Sequence, residues 1–211
     1  LLPGTDPDAL KAYGNTIEEA RADLFGLYYM ADEKLVELGL LPDAEAYKAQ
    51  YYTYLMNGLL TQTIRIKEGD KIEEAHMRNR ALIAWWTLRH SQGAVSLVQR
   101  EGKTYVQITD YEALRNVFGT LLAEIQRIKS EGDFEAARSL VEEYAVNIDP
   151  TLHHEIRQRY ELLNLVPYKG FINPKMTILY DEQGNPVDVL LDYTESYTDQ
   201  MLRYSEEYGT L

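Results

Sequence analysis

Glu18, Glu19 and Asp23 place three carboxylates at the mouth of an apolar segment, and from Ala22 to Ala31 Asp23 is the only charged residue. Carboxylates entering a buried environment have to be paired, hydrogen-bonded or bound to a metal, because an unpaired buried charge is prohibitively costly. At helical spacing Glu19 and Asp23 lie one turn apart on one flank, while Glu18 points elsewhere. A purely structural role is also open to them. Acids in a first helical turn complement the macrodipole, and Thr16-x-x-Glu19 has the form of a capping box. His76 and Arg80 make a second pair, four residues apart and on the same face as Ile72, Asn79, Ile83 and Trp86. Polar groups on such a face need partners. The histidine could be catalytic or a satisfied core residue, and the arginine could pair with a nearby acid. Glu73-x-x-His76 has the spacing of a dimetal-carboxylate helix pair, but that site requires a second Glu-x-x-His and the chain has none. His153-His154-Glu155 reads as a solvated helix start, since adjacent helical residues point about 100° apart and cannot chelate one ion together.

Several other chemistries are excluded. With no cysteine there is no thiol nucleophile, disulfide framework or cysteine-ligated zinc. No two glycines lie two residues apart, so there is no dinucleotide fingerprint, and neither a Walker loop, a Gly-x-Ser-x-Gly elbow nor a His-Glu-x-x-His motif occurs. The 211 residues carry 21 Lys+Arg against 34 Asp+Glu, a formal charge of −13, which opposes binding to nucleic acid or to an anionic membrane surface. The composition, 45% apolar and 26% charged, is that of a globular chain. Leu24 to Ala31 and Ala81 to Trp86, the longest apolar stretches, fall short of the roughly 18 to 20 residues that span a bilayer. We expect a soluble protein, and the missing cysteines suit the cytoplasm. The opening Leu1-Leu2-Pro3-Gly4-Thr5-Asp6-Pro7 has no initiator methionine and no signal-type core, so it reads as a loop entered partway through a longer protein.

The elements that must position these residues are mainly α-helices. Periodicity predicts helices over Thr16 to Leu38, Pro42 to about Thr63 with a tyrosine-heavy face, Lys71 to about His90, Tyr111 to Ser130, Asp133 to Asn147 and Pro150 to Leu163. Val95 to Gln99 and Thr104 to Ile108 alternate around a glycine turn and predict a hairpin. A second hairpin, Met176 to Tyr180 and Val187 to Leu191, precedes an acidic amphipathic helix over Thr194 to Tyr208. The expected organisation is a multi-helix part over residues 1–166 and an appendage of hairpin plus C-terminal helix over 167–211.

Two segments resemble the dipeptidyl peptidase III family of zinc metallopeptidases. Glu18-Glu19-Ala20-Arg21-Ala22-Asp23 is similar to the family's Glu-Glu-x-Arg-(Ala/Lys)-(Glu/Asp) signature, and His76-Met77-Arg78-Asn79-Arg80 is similar to its later His-Met-x-x-Arg stretch. The resemblance covers most of the chain and weakens in the terminal hairpin. It implies that Glu19 is the third protein ligand of a catalytic zinc, completing a two-histidine, one-glutamate site open to water. Glu18 would accept a hydrogen bond from a ligand histidine, and Asp23 would do the same with a shorter reach than the glutamate of many relatives. His76 would steady the substrate carbonyl or the oxyanion, Arg80 would support it, and Lys175 sits near where relatives contact substrate.

The implied activity is zinc-assisted release of dipeptides from the N-termini of oligopeptide substrates. In relatives a His-Glu-x-x-Gly-His motif supplies two ligands and the general base a few residues before a Leu-Leu-Pro-Gly-like segment, and that motif is absent here. The expectation is therefore a C-terminal portion beginning just after the zinc helix, inactive and without retained zinc unless joined to its missing N-terminal part. The alternative is a non-catalytic acidic helical protein-interaction module.

Overall fold

A computed structural model describes residues 1–165 and 173–209. The predicted boundary segment Pro167 to Pro174 lies largely outside the described residues. The fold is mainly α-helical, with two small antiparallel hairpins and a C-terminal helix. The chain divides into two units, Leu1–Asn164 and Leu165–Leu211.

The first unit opens with a 3-10 turn, Lys11–Tyr13, that runs directly into α1, Gly14–Met30. The expected cap is displaced as a result. Thr16 lies buried inside the helix, no side chain caps the start, and the capping-box reading of Glu19 falls away. The helix predicted to continue to Leu38 breaks after Met30. Asp32 restarts the chain by accepting from Lys34 N at 3.0 Å, and α2, Glu33–Glu37, ends before Gly39 at φ 70°.

α3 spans Ala46–Leu59, starting later than Pro42 because Asp43 forms a local turn by accepting from Glu45 N at 2.8 Å. A 3-10 turn, Thr61–Arg65, follows it. α4 spans Ala75–His90, and Glu74 is its cap, accepting from His76 N at 2.9 Å and Met77 N at 3.0 Å. Lys71 to Glu73 are therefore outside the helix. Glu73 and His76 do not share a helical face, which removes the structural basis of the dimetal alternative. β1, Val95–Arg100, pairs with β2, Lys103–Ile108, through Glu101-Gly102, whose φ values of 51° and 71° suit a two-residue hairpin turn. Then follow α5, Tyr111–Glu131, capped by Asp110; α6, Phe134–Tyr144, capped by Asp133; and α7, Pro150–Leu162, capped by Asp149.

The core of this unit lies between α1, α3, α4 and α5, where Ile17, Leu24, Tyr51, Leu55, Leu82, Ile83, Phe118 and Leu121 are fully enclosed. At about 25 cal/mol per Å² of apolar surface, these side chains supply most of what holds the four helices in register. Gly58 lets α3 and α4 touch, since a Cβ there would lie 2.5 Å from the Arg80 carbonyl oxygen. His153, expected to be solvated, is instead buried and bonds through Nε2 to Thr63 O at 2.9 Å. Its neighbour Glu155 accepts from Thr104 N at 2.7 Å and pairs with Arg159, tying α7 to β2.

In the second unit β3, Lys175–Tyr180, pairs with β4, Pro186–Asp192, and α8 spans Tyr197–Tyr208 behind a Ser196 cap. Glu195 grips Arg203 with both oxygens at 2.8 Å. No helix among the described residues is long and apolar enough to cross a membrane.

Candidate functional site

The α1 and α4 helices bring Glu19 and His76 together. Glu19 Oε2 lies 3.2 Å from His76 Nδ1, with the two side chains 37% and 58% exposed. The expected burial of His76 is corrected here. It stands in the first turn of α4, where the helix emerges, and its imidazole faces accessible space. Among the described residues Glu19 is paired with this imidazole rather than with a lysine or arginine, so no permanent counter-charge there contacts its carboxylate.

Glu18 is placed differently. Turned about 100° around α1, it is gripped by Arg21 (Nη2 to Oε1 2.5 Å, Nε to Oε2 3.3 Å) and by Lys129 of α5 (Nζ to Oε2 3.1 Å). The Arg21 hydrogen bonds, followed by Lys129, hold its carboxyl down at about 2. A folded-state value below the ordinary 4.5 contributes stability above that pH and loses it as pH falls toward 2. At 40% exposure, solvent screening limits the contribution to roughly 1 kcal/mol. Glu18→Gln is accordingly expected to flatten the loss of thermal stability between pH 4.5 and 2. Melting curves across that range check it, and an acid limb as steep as in the parent would show that the cations do not stabilise the carboxylate.

Asp23, one turn beyond Glu19, faces α3 and α4 together. Its Oδ2 accepts from Tyr54 Oη at 2.8 Å and from Asn79 Nδ2 at 2.7 Å. Burial, then the Asp23 charge, pushes the Tyr54 hydroxyl well up, so it stays a donor. Arg80 makes no hydrogen bond or ion pair among the described residues, and its charge acts on Tyr54. The predicted cluster thus separates into a surface pair, Glu19 and His76, an inner group of Asp23, Tyr54 and Asn79 with Arg80 beside it, and Glu18 turned toward α5. Lys175 belongs to the second unit, opposite Asp192 at the start of β3. Among the described residues no group of three or more His, Asp or Glu side chains could by itself hold a metal ion.

Sequence reasoning missed Tyr54, whose spacing with Tyr47 and Tyr51 marks a stripe but not which hydroxyl meets a carboxylate. It also missed that Asn79 is the buried donor, although the residue stood on the His76 face.

A mostly helical unit with an accessible carboxylate and imidazole side by side agrees with what sequence comparison finds. The chain belongs to peptidase family M49, whose defining pattern matches residues 5–206. Within that family it is similar to dipeptidyl peptidase 3 of Homo sapiens, at 26% identity over 92% of this chain and 27% of that protein. The Mus musculus dipeptidyl peptidase 3 is 28% identical over 64% of this chain and 20% of its own length. Among solved structures, DPP III from Caldithrix abyssi superposes with a TM-score of 0.56 at 27% identity, over 74% of this chain and 27% of that one. Dipeptidyl-peptidase III from Corallococcus sp. strain EGB gives 0.56 at 26% identity, over 72% and 26%. The chain spans about a quarter of the length of most of these relatives.

Proposed function

We propose that this chain is the C-terminal part of the catalytic lobe of a zinc-dependent dipeptidyl peptidase, acting on oligopeptides and releasing dipeptides from their N-termini. The observation that carries the reading is the 3.2 Å approach of Glu19 to His76. Two segments far apart in sequence, each similar to a family signature, meet at one accessible place. A separation of the acids from His76 would have favoured the non-catalytic interaction module, and this contact removes that support.

Glu19 suits a zinc ligand, being an accessible carboxylate whose partner among the described residues is an imidazole that can be relinquished. Bound zinc would lower the pKa of its water and polarise the scissile carbonyl. His76 would donate from its ring to the substrate carbonyl oxygen, where negative charge develops. Arg80 would add positive charge behind that site, and Glu18 and Asp23 would orient ligand histidines. Two histidine ligands and the general base would come from the part of the longer protein that this chain does not span. In isolation the chain would bind no stoichiometric zinc and release no dipeptides, because one carboxylate is too few ligands. The cytoplasm, with no disulfide required, is the proposed location.

The test uses the full-length protein. It should carry about one zinc per chain and release N-terminal dipeptides, and His76→Ala should lower kcat by about a hundredfold or more with zinc retained. Unchanged turnover in His76→Ala would remove it from the mechanism. Tight stoichiometric zinc in the 211-residue chain alone would overturn the shared-site reading.

A further inference from the structure

Glu18 and Asp23 are both acids beside Glu19 on α1, but they are held by opposite chemistry. Glu18 is neutralised by two cations, and both of its oxygens are engaged. Among the described residues Asp23 is held by the neutral donors Tyr54 and Asn79, and both converge on one oxygen, Oδ2. Its Oδ1 has no partner among the described residues. Neutral donors fix a carboxylate in place while leaving its negative charge undiminished, so the remaining oxygen stays a strong acceptor. The donors come from two different helices, α3 and α4, so Oδ2 is held from two directions.

Asn79 is 1% exposed, and its own Oδ1 has no protein partner among the described residues. A buried amide with only its donor side used is a poor choice for packing, where an apolar residue would serve. We propose, resting on the peptidase reading above, that Tyr54 and Asn79 are positioning residues that clamp Asp23 by Oδ2 so that Oδ1 can accept the ring N–H of a zinc-ligand histidine. Outer partners of this kind hold ligand geometry, and their removal typically weakens metal retention by 10- to 100-fold.

The experiment measures zinc release into excess chelator from the full-length, zinc-loaded protein, together with kcat and KM. Tyr54→Phe removes a single oxygen, and Asn79→Leu replaces the amide with an apolar side chain of similar size. Each is expected to release zinc roughly tenfold faster with KM nearly unchanged, and neither should add to the effect of Asp23→Ala. A purely structural role would lower the melting temperature without changing zinc release. Unchanged release, or effects that add to Asp23→Ala, overturns the proposal. Should Asn79→Leu fail to fold, Tyr54→Phe decides alone. A parent protein that holds no zinc would defeat the peptidase reading and this inference together, whereas a zinc-loaded parent with unaffected variants defeats this inference only.

Discussion

Glu19→Ala in the full-length protein is expected to strip the zinc and to reduce dipeptide release by several orders of magnitude. Under the reading proposed here Glu19 is one of three protein ligands, and a two-ligand site holds zinc too weakly to survive dialysis. Without the metal, neither water activation nor carbonyl polarisation remains. The fold should tolerate the change, because Glu19 is partly exposed and its contact with the more exposed His76 contributes at most about 1 kcal/mol. Metal analysis after dialysis, paired with a melting curve, separates the two effects. Zinc content equal to the parent's would remove Glu19 from the ligand set, whatever happened to activity.

Gly58→Ala should have the largest effect on stability. An added Cβ would sit 2.5 Å from the Arg80 carbonyl oxygen and 2.7 Å from Ala84 Cβ. The obstacle is α4 backbone, so relief requires the two helices to move apart rather than one side chain to turn. Overpacking of this kind costs about 3 kcal/mol, offset by the roughly 1 kcal/mol that alanine gains over glycine within a helix. The net loss of about 2 kcal/mol corresponds to a fall in melting temperature of roughly 4–8 °C. Because the displaced carbonyl belongs to Arg80 and Asn79 precedes it, activity of the full-length protein should fall as well. A melting temperature equal to or above the parent's would show that the helices do not approach so closely.

Elements with local punctuation were legible in the sequence. α5 begins at the Asp110 cap and ends at Gly132 with φ 68°, α7 begins at Asp149-Pro150, and the first hairpin turns at Glu101-Gly102. Boundaries set by tertiary contacts were not. Ile72 extends the apolar period of α4 upstream, yet it is buried in extended chain, with its N–H bonded to Val146 O at 3.0 Å. Nor does Thr16-x-x-Glu19 mark a start, because the 3-10 turn before Gly14 carries α1 past it. Within the candidate site, the motif residues Glu19 and His76 could be named in advance, whereas the path of Asp23 into the junction of three helices could not. His153 shows the same limit, since the carbonyl that buries it belongs to Thr63.

The single oxygen on which Tyr54 and Asn79 converge also limits which side chain fits at position 23. A carboxylate longer by one methylene at position 23 would push that atom roughly 1.5 Å beyond where both donors now meet it. Positions 23, 54 and 79 are therefore coupled by geometry, and Asp23→Glu would keep both donors only if Tyr54 and Asn79 drew back together.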